Sequence, residues 1–188
     1  NNKRDGKGKE YMYGRLKYEG EYLNGERHGK GKTYYNNGNI EFDGVFLYGN
    51  KCNGKYKSHP YGRSIFEGNY KNGKRDGEGK EYDNNGNLIF EGEYLNNERN
   101  YGKEYNNGNL IFEGEYLNNK RNYGKEYNND DLIFEGEFLG DTRWNGNGKE
   151  YYYDKKIKFE GEYFNGKKWN GKIYDILGNV ACELIDGK

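Results

Sequence analysis

The 22 residues from Asn84 to Tyr105, NNGNLIFEGEYLNNERNYGKEY, are followed at once by a second copy, Asn106 to Tyr127, that differs only in having Lys120 where the first has Glu98. A chain that spells one segment twice in succession must set two copies of one local structure side by side. The doubled segment belongs to a longer series. An aromatic-acid-Gly motif recurs as YEGEY (18–22), FDGVF (42–46), FEGNY (66–70), FEGEY (90–94 and 112–116), FEGEF (134–138) and FEGEY (159–163). A Gly-Lys motif alternates with it: GKEY at 8–11, 79–82, 102–105, 124–127 and 148–151, GKTY at 31–34, GKYK at 54–57 and GKIY at 171–174. Successive copies are 22 to 25 residues apart, a period that belongs to repeat architectures.

Both motifs read as strands, being short, alternating by two, rich in rings and bounded by turn residues. Asn-Gly within NNGN, at 36–39 and 84–87, marks a tight hairpin tip, because both residues tolerate positive φ. Setting Gly79 opposite Gly92 places Lys80 opposite Glu91. The same rule pairs Lys9 with Glu19, Lys32 with Asp43, Lys55 with Glu67, Lys103 with Glu113, Lys125 with Glu135, Lys149 with Glu160 and Lys172 with Glu183. It predicts two-residue tips in the 24-residue units, such as Asn85-Gly86. It predicts three-residue tips in the 22-residue copies and a five-residue tip around SHPYG (58–62). One face of each hairpin then carries the Lys–acid pair, a second acid such as Glu93 and a Tyr such as Tyr82. The other carries Phe90, the Gly79–Gly92 gap and Tyr94. Exposed Lys–acid pairs contribute about 0.2–1 kcal/mol each, against roughly 1.5–3 kcal/mol for each buried Phe. Rings are therefore expected to supply stability, and charges to hold the register.

Composition agrees with a thin structure. Hydrophobic residues are 31% of the chain, yet aromatics reach 18%, with 22 Tyr and 31 Gly. Aliphatic residues are too few for a thick core, and so many rings argue against disorder despite 33% charge. Lys plus Arg and Asp plus Glu number 31 each, for a net charge of zero. That removes the basic excess of a nucleic-acid binder and any general attraction to anionic lipid, leaving only local basic patches. No apolar run approaches the length of a membrane span. Cys52 and Cys182 stand apart with no metal-binding spacing and read as reduced structural thiols. With no Asn-x-Ser/Thr sequon, the expected location is cytoplasmic. The start at Asn1 without Met, and with no signal peptide, suits a piece of a longer protein.

Catalytic chemistry finds no support. GERHGKGKT (25–33) has Gly25 one residue too early for a phosphate-binding loop, and its Gly-Lys recurs in every unit. His28 lies in a connection and His59 in the SHPYG tip, which leaves no dyad or metal cluster. Each repeated acid has its own Lys. The chain reads as a non-enzyme without cofactor or metal. The longer connections, such as LNGERHG (23–29), read as solvated loops. Trp144 and Trp169 sit in two of them, as local cover over the sheet or, alternatively, as binding hot spots.

Aromatic-x-Gly-x-aromatic followed by x-N-G-x-R-x-G-x-G resembles the MORN repeat (membrane occupation and recognition nexus). Tyr18, Gly20, Tyr22, Gly25, Gly29 and Gly31 match it, as do Phe66, Gly68, Tyr70, Gly73, Gly77 and Gly79. Asn97 and Asn119 replace a loop Gly, as in a shorter variant found in bacterial members, some of them labelled antitoxins. The resemblance implies an elongated row of hairpins with a groove along one side. It also implies scaffolding, dimerisation, protein partners and phosphoinositide binding.

The expected fold is all-β: an elongated single row of antiparallel hairpins, about 16 short strands with no substantial helix. Residues 1–188 form a single repeat domain, with 178–188 as a C-terminal cap and the first strand as an open edge for end-to-end or homodimer contact. The leading functional expectation is a scaffold that binds a protein or peptide along an aromatic strip of Phe66, Tyr70, Phe90, Tyr94, Phe112, Tyr116, Phe134 and Phe138. If the same rings pack only on one another, they are core instead. Peripheral binding to an anionic phospholipid surface through the Lys-bearing face, and an antitoxin-like partner role, are the alternatives. No nucleic acid is expected.

Overall fold

The computed structural model describes residues 3–57 and 65–188. The SHPYG tip with His59 lies outside the described residues. Every regular element among them is a β-strand, and the chain forms two compact units, Asn1–Glu98 and Arg99–Lys188. The first holds β1 (Gly6–Met12), β2 (Arg15–Leu23), β3 (Glu26–Tyr34), β4 (Ile40–Leu47), β5 (Asn50–Lys57), β6 (Ile65–Lys71), β7 (Lys74–Tyr82) and β8 (Leu88–Leu95). The second holds β9 (Glu98–Asn106), β10 (Asn109–Leu117), β11 (Lys120–Asn128), β12 (Asp131–Leu139), β13 (Thr142–Tyr151), β14 (Ile157–Phe164), β15 (Lys167–Tyr174) and β16 (Val180–Leu184). Within each unit, consecutive strands pair antiparallel in sequence order.

The Lys–acid register holds in all but one hairpin. Lys9 faces Glu19, Lys32 Asp43, Lys80 Glu91, Lys103 Glu113, Lys125 Glu135, Lys149 Glu160 and Lys172 Glu183. The exception is β5–β6, where Lys55 faces Asn69, and Glu67 faces Lys57 instead. The pairing has slipped by two residues, which keeps every side chain on its face and so is not forbidden by the core pattern. The slip also breaks the glycine pairing, leaving Gly54 opposite Tyr70.

The hairpin tips differ from expectation in a regular way. A bulge on the returning strand takes up one residue: Glu81 faces Phe90 but Tyr82 faces Leu88, leaving Ile89 extra. The 24-residue units therefore end in three-residue tips such as 84–86. There the Gly86 N–H donates to the Asp83 carbonyl at 3.0 Å, and Gly86 is left-handed at φ +86°. The 22-residue copy ends in a two-residue tip, with Asn107 and Gly108 at φ +50° and +84°, the left-handed pair of a type I′ turn. Asn-Gly stands at the tip as expected, but the bulge, absent from the expected ladder, exchanges the two tip lengths.

The core lies on one face. Tyr18, Phe42, Phe66, Phe90, Phe112, Phe134 and Phe159 are at most 1% exposed. Each packs edge-to-face on the second ring of its own motif, as Phe112 does on Tyr116 with centroids 5.5 Å apart. Glycine makes room for them. Gly114 and Gly124 face each other across β10 and β11, and a Cβ on Gly124 would stand 2.6 Å from the Phe112 ring and 2.5 Å from the Glu113 carbonyl oxygen.

Successive connections are clasped by hydrogen bonds. The Gly25 N–H donates to the Arg4 carbonyl and the Gly49 N–H to that of Arg27. Where Asn97 stands in place of Gly, its N–H donates to the Arg75 carbonyl at 2.9 Å and its Oδ1 accepts from the Arg75 N–H at 2.8 Å. Asn97 keeps the left-handed conformation, at φ +80°, and adds a bond that Gly cannot make. Trp144 and Trp169 are half-buried and lie against the turn glycines Gly166 and Gly187, as local cover. At the C-terminus, β16 pairs with β15.

Gly124→Ala is expected to destabilise the protein by about 1–3 kcal/mol, because the added methyl has no room. Gly86→Asn fills open space in a conformation Asn accepts, and is expected to cost less than about 1 kcal/mol. Urea unfolding of the two variants checks the contrast.

Candidate partner-docking surface

The expected aromatic strip lies inside the sheet's packed face. Phe66, Phe90, Phe112 and Phe134 have no more than 1% of their surface exposed, Tyr94, Tyr116 and Phe138 are also buried, and Tyr70 is half-buried. Phe66 packs on Tyr94 of the next motif at 5.0 Å and Phe112 on Phe138 at 5.2 Å. The rings thus join consecutive hairpins, and rings so enclosed have little area to offer a second molecule.

Basic side chains cover rings in both units. Arg27 lies 4.5 Å over Tyr18, Arg75 4.2 Å over Phe66, Arg121 4.7 Å over Phe112 and Lys168 4.9 Å over Phe159. These residues stand in connections that read as solvated, yet their side chains fold back onto the core. Each is tied to the Glu of a Gly-Lys-Glu motif. Arg27 Nη2 donates to Glu10 Oε2 at 2.5 Å, Arg121 Nη2 to Glu104 Oε2 at 2.5 Å, and Lys168 Nζ to Glu150 Oε2 at 2.8 Å. The hydroxyls of Tyr22 and Tyr163 donate to Glu10 and Glu150 at 2.8 and 2.9 Å. Alternation alone puts this Glu on the ring face, and the basic residue always follows the second ring by five positions, from Tyr22–Arg27 to Tyr163–Lys168. That spacing was the available signal for the ladder.

The Arg27 hydrogen bond holds the Glu10 carboxyl below the usual carboxylate range, against the opposing effect of burial. Burial raises Glu150, but the bonds from Lys168 and Tyr163 outweigh it and the net shift is downward. Burial first, and the neighbouring carboxylate second, push Tyr22 and Tyr163 up to about 12.

The opposite face is polar and carries the exposed groups. Its lysines are held by the acids across from them: Lys80 Nζ lies 2.9 Å from Glu91, Lys103 3.6 Å from Glu113 and Lys149 2.8 Å from Glu160. Beyond the file of glycines runs a second row, and here the two units differ. In the first unit it begins Lys7, Glu21, Lys30, Val45. Lys7, Glu21 and Lys30 of this row, with Lys9, Glu19, Lys32 and Asp43, wall a groove of about 570 Å³ floored by Gly8, Gly20 and Gly31. In the second unit the row reads Tyr101, Glu115, Tyr123, Glu137, Asn145, each opposite the next. Tyr101 and Tyr123 are 47% and 48% exposed, and Glu115 and Glu137 are also exposed. Asn145 Nδ2 donates to Glu137 at 2.7 Å. Tyr123, Glu137, Asn145 and Gly136 help line a groove of about 390 Å³. Among the described residues, no group of three or more His, Cys, Asp or Glu converges to hold a metal.

The MORN repeat family model matches the sequence at residues 1–13, 18–40 and 66–88. No curated protein matches the chain.

Two experiments test the division between core and surface. Tyr94→Ser with Tyr116→Ser is expected to cost about 3–5 kcal/mol for each buried ring removed. Glu98→Lys, which makes the two copies identical at an exposed site, is expected to leave thermal unfolding unchanged. In alkali, Tyr22 and Tyr163 stay neutral in the folded protein beyond the pH of about 10 at which an unfolded Tyr ionises. Their contribution to stability is complete below about pH 10 and is lost as pH rises through about 12. Tyr22→Phe should therefore flatten the alkaline fall in denaturation midpoint between those values.

Proposed function

Because this chain is a protein of MORN repeats, we propose that it is a non-catalytic scaffold that binds a protein partner across the polar face of its sheet strands. MORN repeats are protein- and membrane-interaction repeats. The observation that carries the protein reading is the row Tyr101, Glu115, Tyr123, Glu137. Half-exposed tyrosines present rigid contact area at low entropy cost, and the adjacent acids can fix a partner's register. A phospholipid surface is the competing partner, and it would have to be met by the lysines of this face. Seven of them, Lys9, Lys32, Lys80, Lys103, Lys125, Lys149 and Lys172, each lie within 4 Å of a carboxylate. Anionic headgroups would have to displace those acids, and the row of Glu115 and Glu137 would repel them.

Capture from lysate with identification by mass spectrometry, alongside sedimentation with vesicles, separates the two. The immobilised protein is expected to retain a specific protein partner. It should not co-sediment with phosphatidylcholine vesicles, with or without phosphatidylinositol bisphosphate. Vesicle binding that needs the anionic lipid and fades with salt, with no protein captured, would overturn the reading.

A further inference from the structure

The polar row of the second unit has a period as well as a composition. Tyr101 and Tyr123 occupy the same position of β9 and β11, two strands apart, and Glu115 and Glu137 the same position of β10 and β12. Neighbouring strands lie about 4.8 Å apart, so like side chains recur every ~9.6 Å. Beside them runs a trough floored by the backbone of Gly102, Gly114, Gly124 and Gly136, positions whose missing side chains belong to the ring face. The far wall is the Lys103, Glu113, Lys125, Glu135 row, in which charges cancel in pairs. The two walls hold Glu113, Glu115, Glu135 and Glu137 against Lys103 and Lys125, an excess of negative charge.

Resting on the scaffold reading, we propose that this trough binds a cationic polyproline II segment with a basic residue at every third position. A ligand lying along the trough must return the same side chain to the same side every ~9.6 Å. A β-strand does so every two residues, about 6.8 Å, and an α-helix every turn, about 5.4 Å. A polyproline II helix does so every three residues, about 9.3 Å. Tyrosines at that interval present ring faces along the trough to prolines, as in aromatic-lined grooves for Pro-rich segments. A carboxylate at the same interval takes a guanidinium in a charge-assisted hydrogen bond. The first unit has the trough without this chemistry. Lys7 and Lys30 stand where the tyrosines stand in the second, and would repel the same ligand.

The test uses the whole chain and a fluorescein-labelled Pro-Pro-Arg repeat peptide, read by anisotropy at low ionic strength. A second peptide has the same composition and charge, with arginines at every second position followed by a proline run. The Pro-Pro-Arg peptide is expected to bind about tenfold or more tightly than the rearranged one. Glu115→Gln with Glu137→Gln should weaken it by about tenfold or more, as should Tyr101→Ser with Tyr123→Ser. All four residues are exposed, so circular dichroism and thermal unfolding should stay as in the parent. Glu19→Gln with Glu21→Gln in the first unit should change nothing. Equal binding of the two peptides, no binding of either, or binding indifferent to the Glu115 and Glu137 exchange would each overturn the proposal. Applied to lysate capture, the same variant distinguishes the two readings. A protein partner retained equally by parent and variant leaves the scaffold standing and removes this trough as its site. Capture of no protein by the parent removes the scaffold itself.

Discussion

The contact on which the rest of the structure depends is a ring laid across two facing glycines. Phe112 over Gly114 and Gly124 is the pattern, and Tyr18 over Gly20 and Gly31 repeats it. A single sheet of short strands has no second layer to bury its rings against. Removing the Cβ atoms from two adjacent strands lets the ring lie against backbone, and the ring of the next motif then closes over it edge-on. Burial of roughly 1.5–3 kcal/mol per ring is thereby reached without aliphatic bulk. The same requirement explains why the glycines of neighbouring strands stand opposite one another, and why a register slip at β5–β6 is also a loss of that pairing.

Charge has two separate duties in this chain. On the polar face the Lys–acid pairs are exposed and contribute little, and Lys103 in its pair shows 42% of its side chain to solvent. On the ring face Arg121 and Glu104 expose only 13% and 18%. There the guanidinium covers a ring while the carboxylate holds it in place, so a cation–π contact and a charge-assisted bond act on the same side chain. The Arg–Glu ladder is thus part of the core, in a chain whose composition would assign every charge to the surface.

With the rings inside, specificity passes to the polar face. Repetition supplies its rows, and single exchanges within the repeat set their character. The residue before each strand glycine is Lys7 and Lys30 at the start of the first unit, and Tyr101 and Tyr123 at the start of the second. Those positions face solvent on an otherwise fixed frame, where a new side chain changes the surface without disturbing the ring beneath.

The period, the strand character of both motifs and the Lys–acid register were all legible in the sequence, because alternation by two and a repeated charge pair admit few alternatives. Position in the hairpin was likewise legible for Asn-Gly, since left-handed backbone selects those residues. Bulges such as Ile89 were not: whether a ladder gains a residue depends on how the strand must bend to lay its ring on the glycines, and no local propensity records that. Nor was the separation of strip from core. Phe66, Phe90, Phe112 and Phe134 have the same spacing whether they face a partner or one another. Only the closeness of approach allowed by paired glycines, and the return of Arg27, Arg75 and Arg121 from the connections, placed them inside. The sequence by itself determined the unit and its period, through local geometry and charge pairing. Tertiary structure alone decided how completely the rings are buried, because burial depends on contacts between consecutive hairpins that no single hairpin contains.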